Sequence, residues 1–78
     1  MSVKVLYFAS LREAAGCDSE VVATPASLPE LYAALKAKRG FALAPDRLRV
    51  AVDGEFVGWD SALRDGAEVA FIPPVSGG

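Results

Sequence analysis

Residues 3–8 form a largely apolar run broken by Lys4, in which Val3, Val5 and Tyr7 interleave with Lys4, Leu6 and Phe8. Alternation with period two places successive side chains on opposite faces of a strand, and the β-branched and aromatic content agrees. A short helix is expected next. Ser10-Leu11-Arg12-Glu13 is a capping-box pattern, in which the serine hydroxyl takes a free helix N–H and the glutamate reciprocates. Ala14 and Ala15 extend that helix, and Gly16 is placed to end it in a left-handed cap. Residues 20–23 read as a second strand, antiparallel to the first. Ser27-Leu28-Pro29-Glu30 repeats the capping signature, with proline in the first turn, where its missing N–H does no harm. Leu28, Leu31, Tyr32 and Leu35 recur at i, i+3, i+4 and i+7, the stripe of an α-helix expected over 28–38. Lys36, Lys38 and Arg39 fall in its last turn, where cations complement the helix dipole, and Gly40 is a natural stop.

Residues 41–47 are expected to form a loop, since Pro45 disfavours helix at Ala44. Residues 48–52 alternate as a strand, Asp53-Gly54 is a two-residue hairpin signal, and Glu55-Phe56-Val57 returns from it. Asp65-Gly66 marks another turn, leading into a last strand over 68–72, and Pro73-Pro74 then ends the ladder. The order β, short α, β, long α, β, β, β predicts an α+β domain, a mixed sheet with one long helix packed on one face. That is the β-grasp, or ubiquitin-like, arrangement, in which the first and last strands pair in parallel at the centre. Parity assigns Val3, Val5, Tyr7, Val69 and Phe71 to the core beneath the helix stripe. Lys4 and Glu68 mark the solvent face, which Leu6, Phe8, Ala70 and Ile72 share, with Phe56 of the hairpin nearby. An apolar patch on the open face of a sheet marks a partner site, so Phe8, Phe56 and Ile72 are candidate partner contacts.

Composition narrows the chemistry. Seventy-eight residues make one small domain, expected over residues 1–74, with 75–78 as a flexible C-terminal tail. The chain has no histidine, which removes Ser–His and Cys–His nucleophile pairs and the commonest metal ligand together. No metal site and no bound cofactor are expected. A single cysteine, Cys17, excludes an internal disulfide and a four-thiolate cluster. With Asp18 and Glu20 beside it, Cys17 reads as an incidental thiol, and Trp59 reads as a core lid rather than a partner anchor. Net charge of −2 with interspersed signs argues against nucleic-acid binding, and Lys36, Lys38 and Arg39 read as a solvated helix end. No apolar run approaches the ~20 residues that span a bilayer, and the N-terminus lacks a signal-peptide pattern. No membrane partner and a reducing, cytoplasmic setting are therefore expected. The chain reads as one that contributes a group while a partner supplies the catalysis.

The end of the chain, Phe71-Ile72-Pro73-Pro74-Val75-Ser76-Gly77-Gly78, suggests which group that is. Glycine has no Cβ, so a diglycine backbone threads passages that other residues would block. No charged side chain follows Pro73-Pro74, so only the Gly78 carboxylate needs a polar receptor, which a partner must supply. Pro74 to Gly78 spans at most about 17 Å when extended, enough to reach from a docked domain into a partner's pocket. Gly78 is the candidate reacting residue, and Pro73, Pro74, Val75, Ser76 and Gly77 are candidate partner contacts.

The stretch from Asp65 to Gly78 closely resembles the end of the small, sulfur-carrier subunits of molybdopterin synthase, a ubiquitin-like family. The shared features are the Asp65-Gly66 turn, the Glu68-Val69-Ala70 strand, the Pro73-Pro74-Val75 step and the terminal Gly77-Gly78. Val3-Lys4-Val5-Leu6-Tyr7-Phe8-Ala9 with Arg12-Glu13, and Ala51-Val52-Asp53, are similar to the same family, so the resemblance runs over the whole chain. Ala67 stands where the family often has a second acidic residue, and Asp53 replaces a common asparagine at a turn position that suits either. The resemblance implies a sulfur carrier in molybdenum cofactor biosynthesis, a subunit and not an enzyme alone. It implies an E1-like adenylating enzyme that consumes ATP at the Gly78 carboxylate, and a sulfur donor that converts the adenylate to a thiocarboxylate. The large subunit, in a heterotetramer with this one, would then receive the sulfur for cyclic pyranopterin monophosphate. Three other readings stay open: a carrier for thiamine or thionucleoside synthesis, a ubiquitin-like modifier joined to lysines through Gly78, and an interaction module with an inert tail.

Overall fold

The computed structural model describes residues 1–74. Five strands, β1 (Ser2–Tyr7), β2 (Ser19–Ala23), β3 (Arg49–Val52), β4 (Glu55–Val57) and β5 (Glu68–Ile72), alternate with helices α1 (Ala9–Ala15) and α2 (Leu28–Arg39). They form one sheet in the order β2-β1-β5-β3-β4. The central pair β1–β5 is parallel, with Val5 opposite Val69 and Tyr7 opposite Phe71, and the other ladders are antiparallel. Two of the three antiparallel ladders join strands that follow each other in sequence, whereas β1–β5 spans the whole domain.

The register carries the expected parity. Val3, Val5, Tyr7, Val50, Val69 and Phe71 are buried in one cluster with Leu28, Leu31, Tyr32 and Leu35 of α2. Ser27 caps α2, its hydroxyl accepting from the Glu30 N–H at 3.3 Å, and Gly40 ends the helix in the left-handed region. Trp59 stacks on Phe71 with ring centroids 5.7 Å apart and meets Tyr32 edge-on at 5.8 Å. It is a lid on the core. The β3–β4 hairpin turns through Asp53 (φ 52°) and Gly54 (φ 87°), the positive pair that a tight two-residue turn requires. The Asp53 carboxylate also accepts from the Glu68 N–H at 3.0 Å, tying that turn to the start of β5.

Three local expectations are corrected. Ser10 does not cap α1: the N-cap is Phe8, which makes no side-chain cap bond, and Ser10 lies within the helix. The phase of this short helix is set by burial of Leu11 and Ala15, which outweighs one exposed cap bond. Phe8 consequently stands outside β1, which ends at Tyr7. The loop over 41–47 contains a 3-10 turn, Pro45–Arg47, which begins on the residue whose ring fixes φ. No helix among the described residues is long and apolar enough to cross a membrane.

Candidate functional site

Parallel pairing makes β1 and β5 finish at the same end of the sheet. Tyr7 lies opposite Phe71, so Phe8, just past the end of β1, and Ile72, the last residue of β5, come together at that end. Phe8, Ile72, Pro73 and Pro74 line one shallow groove of about 510 Å³, whose other wall is Ala9, Ser10 and Glu13 at the start of α1. Phe8 is 43% exposed, Ile72 half-buried, Pro73 buried and Pro74 exposed. Four of the residues singled out in the sequence thus meet at the point where the chain departs for its last four positions. Val75, Ser76, Gly77 and Gly78, singled out with them, lie outside the described residues.

Phe56 is on the same face of the sheet but not in this groove. It projects from β4, 61% exposed, with the Arg49 guanidinium 4.6 Å above its ring centre. The two regions join through the register. Ile72 is opposite Arg49, while Leu6, Ala70, Ala51 and Phe56 form a continuous row across β1, β5, β3 and β4. The open face is therefore an apolar surface carrying two cations, Lys4 and Arg49, with Glu68 opposite Lys4. Arg49 and the exposed Val21, which sits opposite Lys4, were missed by sequence reasoning. Strand parity could have placed Arg49 on the solvent face, but its partner Ile72 follows only from the β3–β5 register.

On the opposite, helix-covered face, Glu20 collects three donors. The Tyr7 hydroxyl donates to its carboxylate at 2.8 Å, the Lys38 ammonium at 3.2 Å and Arg39 Nε at 3.0 Å. Arg39 also donates to the Ala15 carbonyl at 3.3 Å, closing the end of α1 onto the end of α2. Burial pushes the Glu20 carboxyl upward, but the hydrogen bonds from Arg39, Tyr7 and Lys38 outweigh it and hold the group below its usual value. The Tyr7 hydroxyl is pushed far above its ordinary value by burial first and by the Glu20 carboxylate second. Arg39 is thus corrected from a solvated charge to a structural tie, whereas Lys38, 59% exposed, stays solvated while it reaches Glu20. Cys17 is half-buried against the core beside this network.

Comparison with known proteins decides the family. The family described as ThiS matches residues 5–78. The chain belongs to the ThiS family. The Molybdopterin synthase sulfur carrier subunit of Escherichia coli K12 is 42% identical over 80 residues, covering 97% of this chain and 99% of that protein. The crystal structure of SAMP1 from Haloferax volcanii superposes with a TM-score of 0.82 at 29% identity over 100% of both chains. A chain from the complex of subunits 1 and 2 of the molybdopterin-converting factor of Helicobacter pylori 26695 gives a TM-score of 0.71 at 25% identity, again over 100% of both. The β-grasp expectation and the resemblance to molybdopterin synthase small subunits are both borne out.

Around the tail exit of this ThiS-family chain, the described side chains are apolar apart from Ser10 and Glu13. Neither a serine hydroxyl nor a carboxylate neutralises negative charge on a phosphate or an acyl adenylate.

Proposed function

We propose that this chain is the sulfur carrier of a molybdopterin synthase, delivering sulfur held as a thiocarboxylate at Gly78. The observation that carries the reading is the 42% identity to the Escherichia coli sulfur carrier subunit over nearly the whole of both chains. A carboxylate is a poor electrophile, because its charge is delocalised and its leaving group would be oxide. An E1-like activating enzyme would therefore join the Gly78 carboxylate to the α-phosphoryl group of ATP, releasing pyrophosphate. A sulfur donor then displaces AMP and leaves a thiocarboxylate. The charged tail enters the synthase large subunit, where its sulfur passes to cyclic pyranopterin monophosphate. The Helicobacter pylori complex of subunits 1 and 2 supports a large-subunit partner. Reliance on ATP and on a reduced sulfur donor suits the cytoplasm. The folded unit, residues 1–74, would dock through the Phe8–Ile72 rim and the open face bearing Phe56, while Pro73 to Gly77 guide the terminus.

A second reading, a protein modifier linked to lysine through Gly78, is favoured by the likeness to SAMP1, a small archaeal modifier protein. One measurement separates the two. Intact mass of the chain from native cells lacking the large subunit should show one oxygen replaced by sulfur at the C-terminus. Isopeptide-linked conjugates in its place would favour the modifier, and an unmodified terminus would contradict the carrier.

A further inference from the structure

Two locally unfavourable choices coincide at the exposed corner between β1 and α1. Phe8 is the N-cap of α1 and makes no side-chain cap bond, where serine or aspartate would satisfy a free helix N–H. Ala9 follows with φ 50°, the left-handed region that an alanine Cβ disfavours and glycine tolerates. Among the described residues the other non-glycine at positive φ is Asp53, in a tight hairpin turn that suits aspartate. The Ala9 corner has no such turn chemistry. It is held by the backbone, with the Phe8 carbonyl accepting from the N–H of Leu11 at 3.1 Å and of Arg12 at 3.4 Å. Buried Leu11 anchors it from below.

The result of the corner is a display. Phe8 leaves the ladder and lines the groove with Ile72, Pro73 and Pro74, the residue 43% exposed. Strained backbone that persists without a local reason clusters at sites of function. We infer that Ala9 is a positioning residue, whose left-handed backbone presents the Phe8 ring at the tail exit to the protein that receives the C-terminus. This rests on the reading of that rim as the docking site for the synthase large subunit. The Cβ matters because glycine at position 9 would populate both signs of φ, leaving the ring to be ordered on binding. Ala9→Gly therefore has opposite effects on the two properties: it relieves strain in the folded domain and releases the ring.

The test uses the full chain with three variants, reading Tm alone and Kd for the purified large subunit by calorimetry. Ala9→Gly should keep or raise Tm and weaken binding roughly 3- to 10-fold, the scale of ordering one side chain and its backbone. Ala9→Asn, which keeps a Cβ and tolerates the left-handed region, should bind as the parent does. Phe8→Ser should weaken binding more than Ala9→Gly. A lowered Tm or parental affinity in Ala9→Gly, or Ala9→Asn as weak as Ala9→Gly, overturns the positioning role. Parental affinity in Phe8→Ser instead removes the ring from the interface, and the docking reading fails with it.

Discussion

At Glu20 a carboxylate in a short edge strand receives Tyr7, Lys38 and Arg39, joining β1, β2 and α2. Its carboxyl is held below the usual glutamate value of 4.5, so the folded state binds a proton there less readily than the unfolded chain does. The linked stabilisation is complete above that value and is lost as pH falls through it to the depressed folded value. Glu20→Gln should lower Tm by several degrees at neutral pH and shrink the gap from the parent as the medium is acidified. Thermal melts across that range check it; a gap that stays constant below pH 4.5 would show that the charge on Glu20 contributes nothing. This network was not legible in the sequence. An isolated helix end accounts fully for Lys38 and Arg39, and only the register that sets Glu20 opposite Val5 turns its carboxylate toward them.

Helix α2 was legible because cap, stripe and stop agree: Ser27, then Leu28, Leu31, Tyr32 and Leu35, then Gly40. Leu35 is 2% exposed in the core, so Leu35→Ala should destabilise the domain by about 2–4 kcal/mol, the usual range for a buried leucine. A domain of this size has a thin margin, and chemical denaturation should show a large loss in midpoint. An unchanged midpoint would remove Leu35 from the core. Helix α1 was less legible because it is short. There a capping-box pattern competed with the burial of Leu11 and Ala15, and burial won.

For the whole molecule, one long-range feature shapes the site: β1 and β5, at opposite ends of the sequence, run parallel at the centre of the sheet. That pairing gathers Phe8, Ile72, Pro73 and Pro74 at the rim from which the chain continues to Gly78. Strand alternation and the closing prolines made these four readable. Arg49 and Val21 were not, since their place on the open face depends on which strands become neighbours. In the function proposed, the domain is a holder and Gly78 the working part. Deleting Gly78 from the full chain and assaying conversion of cyclic pyranopterin monophosphate to molybdopterin, with purified partners and a sulfur source, tests it most directly. Conversion should be lost with Tm near the parent's, and the truncated chain should still compete with the parent for the large subunit. Parental conversion by the truncated chain would contradict it.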